Sequence, residues 1–139
     1  MPDITHDDAA VRRLLSGKPR IAVVGASPNP ARDSHRIFVY LARHGYPVTP
    51  VNPTTPEVEG VPTVPDLKAA AAQGPIDIVD VFRAADQVGP VVDEAIAVGA
   101  RAVWFQLGVV NPPAIAKAVE AGLAVVVDRC IKVEHARLL

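Results

Sequence analysis

Short apolar runs alternate with amphipathic segments along most of the chain. Runs of strand length occupy residues 21–24, 46–52, 76–82, 101–106 and 123–127. The run Ile21–Val24 contains no polar residue, as expected for a parallel strand that is covered on both faces. Apolar residues recur at helical spacing in the segments between the runs, which are residues 34–44, 67–73, 89–98 and 112–120. The pattern therefore predicts one α/β domain over residues 1–139.

Capping residues and glycines mark the ends of these helices. Asp66 and Asn111 are typical N-cap residues, and Gly45 and Gly122 follow the last turns of their helices. The remaining segments are predicted as a helix ending at Leu15, an extended connection over residues 54–65 and a helix over residues 132–138.

Five strands joined by helices favour a Rossmann-like, doubly wound parallel sheet with helices on both faces, because such crossovers are right-handed. The simplest strand order is 3-2-1-4-5. In such a sheet, ligands bind beyond the carboxyl ends of the strands, beside the point where the strand order reverses. The residues expected at that edge are 25–27, 51–53, 82–83, 106–108 and 128–130.

The first strand leads into a loop that suits an anion. Gly25 ends the strand and a helix is predicted to begin near Ser34, so backbone N–H groups and the helix N-terminus point to one place. The loop lacks the G-x-G-x-x-G pattern, since only Gly25 is glycine. The loop and the start of the helix instead carry hydroxyl, imidazole and guanidinium side chains, at Ser27, Arg32, Ser34, His35 and Arg36. These side chains either contact a phosphate or belong to an ordinary solvated turn.

Composition excludes several classes of partner. Half of the 139 residues are hydrophobic, 4% are aromatic, and the formal net charge is −1. Without a basic block, neither nucleic acid nor an anionic membrane is an expected partner. The N-terminus is acidic and polar, and no apolar stretch approaches transmembrane length. The single cysteine, Cys130, permits no internal disulfide or multi-cysteine zinc site, so we expect a cytoplasmic protein without a bound metal.

The residue after the second strand argues against NAD. NAD-binding folds commonly present an acidic residue there, about 20 residues beyond the glycine loop, whereas this chain has Asn52 followed by Pro53. No acid–base pair stands out at the strand ends, so an NAD(P)-dependent oxidoreductase is the weaker alternative. Asp80 is unusual inside an apolar run and requires a hydrogen-bond donor, which the sequence does not identify.

Five short motifs at the strand ends carry a family resemblance. They are Val-Val-Gly-Ala-Ser-Pro-Asn-Pro at 23–30 with Arg32 and Ser34, Pro-Val-Asn-Pro at 50–53, Asp-Val-Phe-Arg at 80–83, Trp-Phe-Gln-Leu-Gly-Val at 104–109 and Asp-Arg-Cys at 128–130. In this order and spacing they resemble the small stand-alone coenzyme A-binding proteins. That family is similar to the CoA-binding domain of the succinyl-CoA synthetase α subunit.

The resemblance implies a Rossmann-like module that binds CoA or an acyl-CoA across the strand ends, without catalysis of its own. The residues it assigns are Gly25, Ala26, Ser27, Arg32, Ser34 and His35 for the phosphates, Asn52 and Pro53 for the adenosine, Phe82 and Arg83 for the diphosphate or ribose, and Gln106, Leu107 and Gly108 for the pantetheine.

The synthetase also has parts that we do not find in residues 1–139. Its phosphorylated histidine lies in a second domain and its β subunit binds the nucleotide, so we assign no catalytic residue. A CoA-binding component of a multi-chain acyl-CoA ligase is a further alternative, and a homo-oligomer or a protein partner is compatible with the chain. Cys130 is either an inert buried thiol, which its residue type favours, or a nucleophile that attacks CoA disulfide, forming a mixed disulfide with one CoA and releasing the other as the thiol.

Overall fold

The apolar run Ile21–Val24 forms an inner strand of a five-stranded parallel sheet in the computed structural model, which describes residues 2–139. All four of its side chains are buried, as its unbroken apolar character predicts. The elements in chain order are α1 (Asp8–Leu15), β1 (Ile21–Val24), α2 (Asp33–Arg43), β2 (Val48–Val51), β3 (Glu57–Val58), β4 (Val61–Pro62), α3 (Leu67–Ala72), β5 (Ile78–Val81), a 3-10 turn (Ala85–Gln87), α4 (Val88–Ala97), β6 (Ala102–Phe105), α5 (Pro112–Glu120), β7 (Ala124–Val127) and α6 (Ile131–Leu138).

Side-chain caps begin three of the helices, and two of these caps, Asp66 and Asn111, were predicted. Asp7, Asp66 and Asn111 each accept a hydrogen bond through the side-chain oxygen from a backbone N–H in the first turn of α1, α3 and α5. Each bond satisfies one of the donors that a helix start leaves unpaired. The predicted alternation of strands and helices is therefore confirmed, with shorter strands than the apolar runs indicated.

Helices cover both faces of the sheet and give two apolar cores. Helices α1, α2 and α6 cover one face, where Phe38, Trp104 and Ile131 are buried. Helices α3, α4 and α5 cover the other face, where Leu67, Val92 and Phe105 are buried. The Rossmann-like α/β class is thus confirmed. Among residues 2–139, no helix is long and apolar enough to cross a lipid bilayer.

The strand order differs from the predicted 3-2-1-4-5. The sheet runs β2-β1-β5-β6-β7, which is 2-1-3-4-5 when its own strands are counted along the chain. β5 pairs with β1, while the outer side of β2 pairs with Val64 through two backbone hydrogen bonds. Pro50 lies within β2 and lacks an N–H, which suits an edge strand rather than an inner one. The proline was the signal for this order.

The predicted extended connection contains a small hairpin. β3 and β4 pair antiparallel around a turn at Glu59 and Gly60, both of which have positive φ. Paired positive-φ residues are the geometry of a tight two-residue hairpin turn. Glu59 is a poor residue for that conformation, and its side chain contacts His35 of α2, as described below.

Candidate functional site

The reversal of strand order lies between β1 and β5, and Gly25 occupies it. Gly25 has φ +88, and a Cβ built on it would stand 2.5 Å from the Phe82 carbonyl oxygen. Its N–H donates to the Val51 carbonyl oxygen, and the Phe82 N–H donates to Val24. The ends of three strands are therefore held together at a residue that has no side chain. In doubly wound sheets this crevice is the usual ligand site.

Two buried or half-buried side chains hold the carbonyl groups of the loop after Gly25. Asn52 Nδ2 donates to the Ala26 carbonyl oxygen at 2.8 Å. His35 Nδ1 lies 2.9 Å from the Ser27 carbonyl oxygen, which can only accept. Because both carbonyl groups have protein partners, the loop does not present them to a ligand. Asn52 and His35 thus orient the loop rather than line its cavity.

The N–H groups of the same region have no such partners. Within residues 2–139, the amides of Ala26, Ser27, Asp33 and Ser34 donate to no backbone or side-chain acceptor. Asp33 and Ser34 are the first residues of α2, so the positive end of the helix dipole lies at the same place as these amides. A cavity of about 570 Å³ opens here, with Arg32 and Arg36 on its wall. Unpaired amides beside guanidinium groups suit a phosphate.

The β3–β4 hairpin is fastened to the loop through His35. Its Nε2 lies 2.7 Å from Glu59 Oε1, and its Nδ1 faces the Ser27 carbonyl. Both partners accept hydrogen bonds, so the two contacts form together when the imidazole carries both protons. His35 is buried whereas Glu59 is exposed. This arrangement explains how a glutamate comes to stand in a tight turn.

A second cavity of about 360 Å³ adjoins the first and extends toward the ends of β6 and β7. The two cavities share Asp33, Arg36 and Phe82, so they form one groove along the strand ends. Much of the surface of the second cavity is apolar, while its polar residues come from four segments of the chain. The residues that line it are Asp33, Arg36, Ile37, Phe82, Arg83, Gln106, Leu107, Val109, Cys130 and Lys132.

Gln106 connects this cavity to the buried Asp80. Asp80 is fully buried, and its Oδ1 lies 2.6 Å from Nε2 of Gln106. Burial raises the pKa of Asp80 to about 8, and a hydrogen bond from Gln106 to the ionised carboxylate would oppose that rise only in part. The Gln106 amide is the polar partner that the sequence did not identify. Asp80 itself does not line the cavity.

Polar contacts at the end of β7 hold the loop after β6. Asp128 has φ 58, in the left-handed region that aspartate tolerates better than most residues. Its Oδ1 accepts a hydrogen bond from the Gly108 N–H at 2.8 Å. Trp104 Nε1 donates to the Arg129 carbonyl oxygen at 2.9 Å. These contacts position Leu107 and Cys130 on the same cavity.

A family model decides the relationship of this chain to known proteins. The model described as a CoA binding domain matches residues 19–136. The chain belongs to the CoA binding domain family. The matched region contains both cavities and every motif on which the resemblance rested.

Relatives of this CoA-binding domain are similar along nearly their whole length. The uncharacterized protein YneT of Bacillus subtilis (strain 168) is 43% identical over 128 residues, covering 92% of this chain and 93% of that protein. A hypothetical protein from Pyrococcus horikoshii OT3 has a solved structure with a TM-score of 0.91 at 40% identity, covering 99% of this chain and 96% of that one.

One more distant structure shows the same fold inside a larger chain. The dinucleotide forming acetyl-coenzyme A synthetase 1 of Ca. Korarchaeum cryptofilum, in its apo form, matches with a TM-score of 0.69 at 23% identity. The match covers 83% of this chain and 27% of the synthetase chain. At this identity the likeness concerns the fold.

The structure brings most of the predicted site residues of the CoA-binding domain to the groove. Those that line a cavity are Gly25, Ser27, Arg32, Ser34, Phe82, Arg83, Gln106, Leu107 and Cys130. Cys130 is partly exposed rather than fully buried. The predicted residues that line neither cavity are Ala26, His35, Asn52, Pro53 and Gly108.

Sequence reasoning named Arg36 as a candidate but did not assign Asp33, Ile37 or Lys132 to the groove. Asp33, Arg36 and Ile37 lie on the face of α2 that follows the groove, and the first two form an ion pair. Their spacing of three and four residues was a usable signal. Lys132 had no comparable signal, because only the packing of α6 against α2 brings it to this wall.

Proposed function

We propose that this protein binds coenzyme A or an acyl-CoA in the groove along the carboxyl ends of its parallel strands, without catalysis of its own. The observation that carries the proposal is the set of unpaired amides and arginines around Gly25, joined to a second, more apolar cavity, in a chain of the CoA binding domain family.

The chemistry of the two cavities matches the two halves of such a ligand. A diphosphate needs several N–H donors and positive charge, which the loop at Ser27 and the side chain of Arg32 offer. A pantetheine arm is a flexible chain with amide groups, and the second cavity offers apolar walls with the polar Gln106. In this arrangement the thiol or thioester end lies toward Cys130.

Calorimetric titration of the ligand-free protein with CoA, dephospho-CoA, NAD and NADP in parallel tests the proposal. We expect CoA to bind at micromolar or tighter affinity, which corresponds to about −8 kcal/mol. We expect dephospho-CoA to bind more weakly, because it lacks one phosphate. Binding of NAD or NADP without binding of CoA would refute the proposal and redirect the search to a redox substrate.

A further inference from the structure

The buried carboxyl group of Asp80 has a single side-chain partner. It lies on the face of the sheet covered by α1, α2 and α6, between Val23 and Trp104 of the neighbouring strands. It is fully buried, and within residues 2–139 its Oδ2 has no hydrogen-bond partner. Gln106 is the partner of Oδ1. A lone buried carboxylate of this kind is costly, whereas a neutral carboxylic acid costs much less.

The Asp80–Gln106 contact accommodates a proton on Asp80. The two atoms lie 2.6 Å apart, which is a hydrogen-bond distance for either direction of donation. An amide can offer either its oxygen or its nitrogen at the same position. A protonated Asp80 that donates to the Gln106 oxygen therefore fits the contact, and its O–H is then satisfied.

The other end of the Gln106 amide faces the cavity. Gln106 is 5% exposed and lines the second cavity. Its second amide atom has no protein partner within residues 2–139, yet it is not among the fully enclosed unpaired atoms. If the oxygen is engaged by Asp80, this second atom is the NH₂ nitrogen.

We infer that Asp80 is a neutral acid at neutral pH and donates its proton to Gln106 Oε1, so that the Gln106 NH₂ group donates to a carbonyl oxygen of the bound ligand. Asp80 is then a positioning residue. The inference rests on the proposed function, since CoA carries two amide carbonyls and an acyl-CoA adds a thioester carbonyl. An ionised Asp80 can only accept, so it would turn the amide and present an oxygen to that carbonyl.

Within residues 2–139, the other titratable groups on this side of the sheet form no hydrogen bond or ion pair with Asp80. Those on the cavity wall come from α2, from the end of β5 and from the start of α6, and they are Asp33, Arg36, Arg83, Cys130 and Lys132. Farther along α6, Glu134 pairs with Arg137 and His135 contacts the Tyr40 hydroxyl. None of these side chains forms a hydrogen bond with Asp80, whose pKa responds to burial and to Gln106.

Two measurements test the inference. Carbon-13 NMR of the aspartate carboxyls, assigned with Asp80→Asn, follows the Asp80 proton directly in the wild-type protein. We expect a titration midpoint near 8, and we expect CoA to raise it, because ligand and proton then favour the same state. The titration is followed in the wild-type protein, and Asp80→Asn is needed only to identify the Asp80 signal.

Calorimetry of CoA binding near pH 6.5 and near pH 9.5 gives the second measurement. Asp80→Asn is the matched control, because its amide can donate to Gln106 at every pH and ionisation of CoA affects both proteins equally. We expect equal affinities at the lower pH and about a tenfold weaker wild-type affinity at the higher pH. Gln106→Met should bind CoA more weakly than the wild type does at pH 6.5. Between the two pH values its affinity should change no more than that of Asp80→Asn.

Matching pH profiles for the wild type and Asp80→Asn would overturn the inference while the proposed function stands. A midpoint in the ordinary range of aspartate, or one that CoA does not move, would overturn it as well. Absence of CoA binding at either pH would instead refute the proposed function and the ligand contact of Gln106 with it, and the NMR midpoint would still decide the protonation of Asp80. The two failures are thus distinguishable.

Discussion

The backbone of Gly25 packs directly against the carbonyl group of Phe82, and a methyl group at Gly25 would stand 2.5 Å from that oxygen. The contact joins the ends of β1 and β5, where the strand order of the sheet reverses. The loop that carries the unpaired amides begins at the same residue. The close approach of β1 and β5 and the shape of the anion site therefore both require that residue 25 has no side chain.

Gly25→Ala tests this dependence. The substitution adds an atom where none fits and places alanine at φ +88. We expect the free energy of unfolding to fall by about 2 to 5 kcal/mol, from strain and overpacking together, and CoA binding to be lost. Denaturant unfolding and calorimetry measure the two effects.

Gly122→Ala is the control for Gly25→Ala. Gly122 also has positive φ, +84, but an added Cβ would meet no atom within 4 Å. It should lose only about 1 to 2 kcal/mol from backbone strain. Similar losses for the two variants would contradict the role of the Phe82 contact.

Asn52→Asp tests the orientation of the loop. Aspartate keeps the acceptor that Thr54 uses but removes the Nδ2 donor that holds the Ala26 carbonyl oxygen. We expect the free energy of unfolding to fall by about 1 to 3 kcal/mol and CoA affinity to fall about tenfold or more. Unfolding and calorimetry at low and high salt give the measurement.

Asn29→Asp separates the hydrogen bond from the charge. It adds the same negative charge to the loop, and it keeps the acceptor for the Ala31 N–H. Its effect on CoA binding should be smaller and should fade in high salt, because exposed charges are screened. If the loss in Asn52→Asp also disappeared in high salt, repulsion alone would explain it.

Arg32→Gln tests the positive charge of the first cavity. Arg32 is exposed and lines the cavity at the start of α2. We expect the affinities for CoA and dephospho-CoA to fall equally, by about tenfold or more, because this position faces the loop and suits the diphosphate that both ligands share. Arg12→Gln, on the exposed side of α1, should change neither affinity. A loss confined to CoA would assign Arg32 to the 3′-phosphate instead.

Asp80→Asn should change how stability depends on pH. The pKa of Asp80 is raised from 3.8 to about 8 in the folded protein. The folded state therefore holds a proton that the unfolded state releases, and stability falls as the pH rises across that interval. The fall approaches about 1.4 kcal/mol per pH unit and ends above the folded pKa.

Unfolding measured at several pH values should show this difference between the two proteins. Asp80→Asn lacks the titrating group, so its advantage over the wild type should grow between about pH 4 and about pH 8 and then stay constant. All other groups titrate alike in both proteins and cancel in the comparison. Stability curves that run parallel over this range would show that Asp80 titrates normally.

Local sequence signals were sufficient for the elements of this protein. Asp66 and Asn111 cap the helices that they were predicted to cap, and Ile21–Val24 is a buried strand. Such signals involve neighbouring residues only, through capping hydrogen bonds and the spacing of apolar side chains. The same holds for the loop at Gly25, because a strand, a glycine and a helix start are adjacent in the chain.

The pairing of strands that lie far apart in the sequence was harder to predict from local signals. The apolar runs did not show that β5 pairs with β1, or that Val64 occupies the free edge of β2. Pro50 carried information on this point, because a residue without an N–H suits an edge strand. The hairpin at Glu59 gave no usual turn signal, since its conformation is supported by a contact with His35 from another element.

The sequence by itself determined the α/β class, the order of the helices and strands, and the family to which the strand-end motifs belong. Only the tertiary structure decided that His35 and Asn52 orient the loop, that Lys132 lines the groove, and that Asp80 is paired with Gln106. The physical reason is distance along the chain. Capping and apolar spacing act within a few residues, whereas burial and hydrogen bonding between residues that lie 26 apart, as Asp80 and Gln106 do, exist only once the sheet has formed.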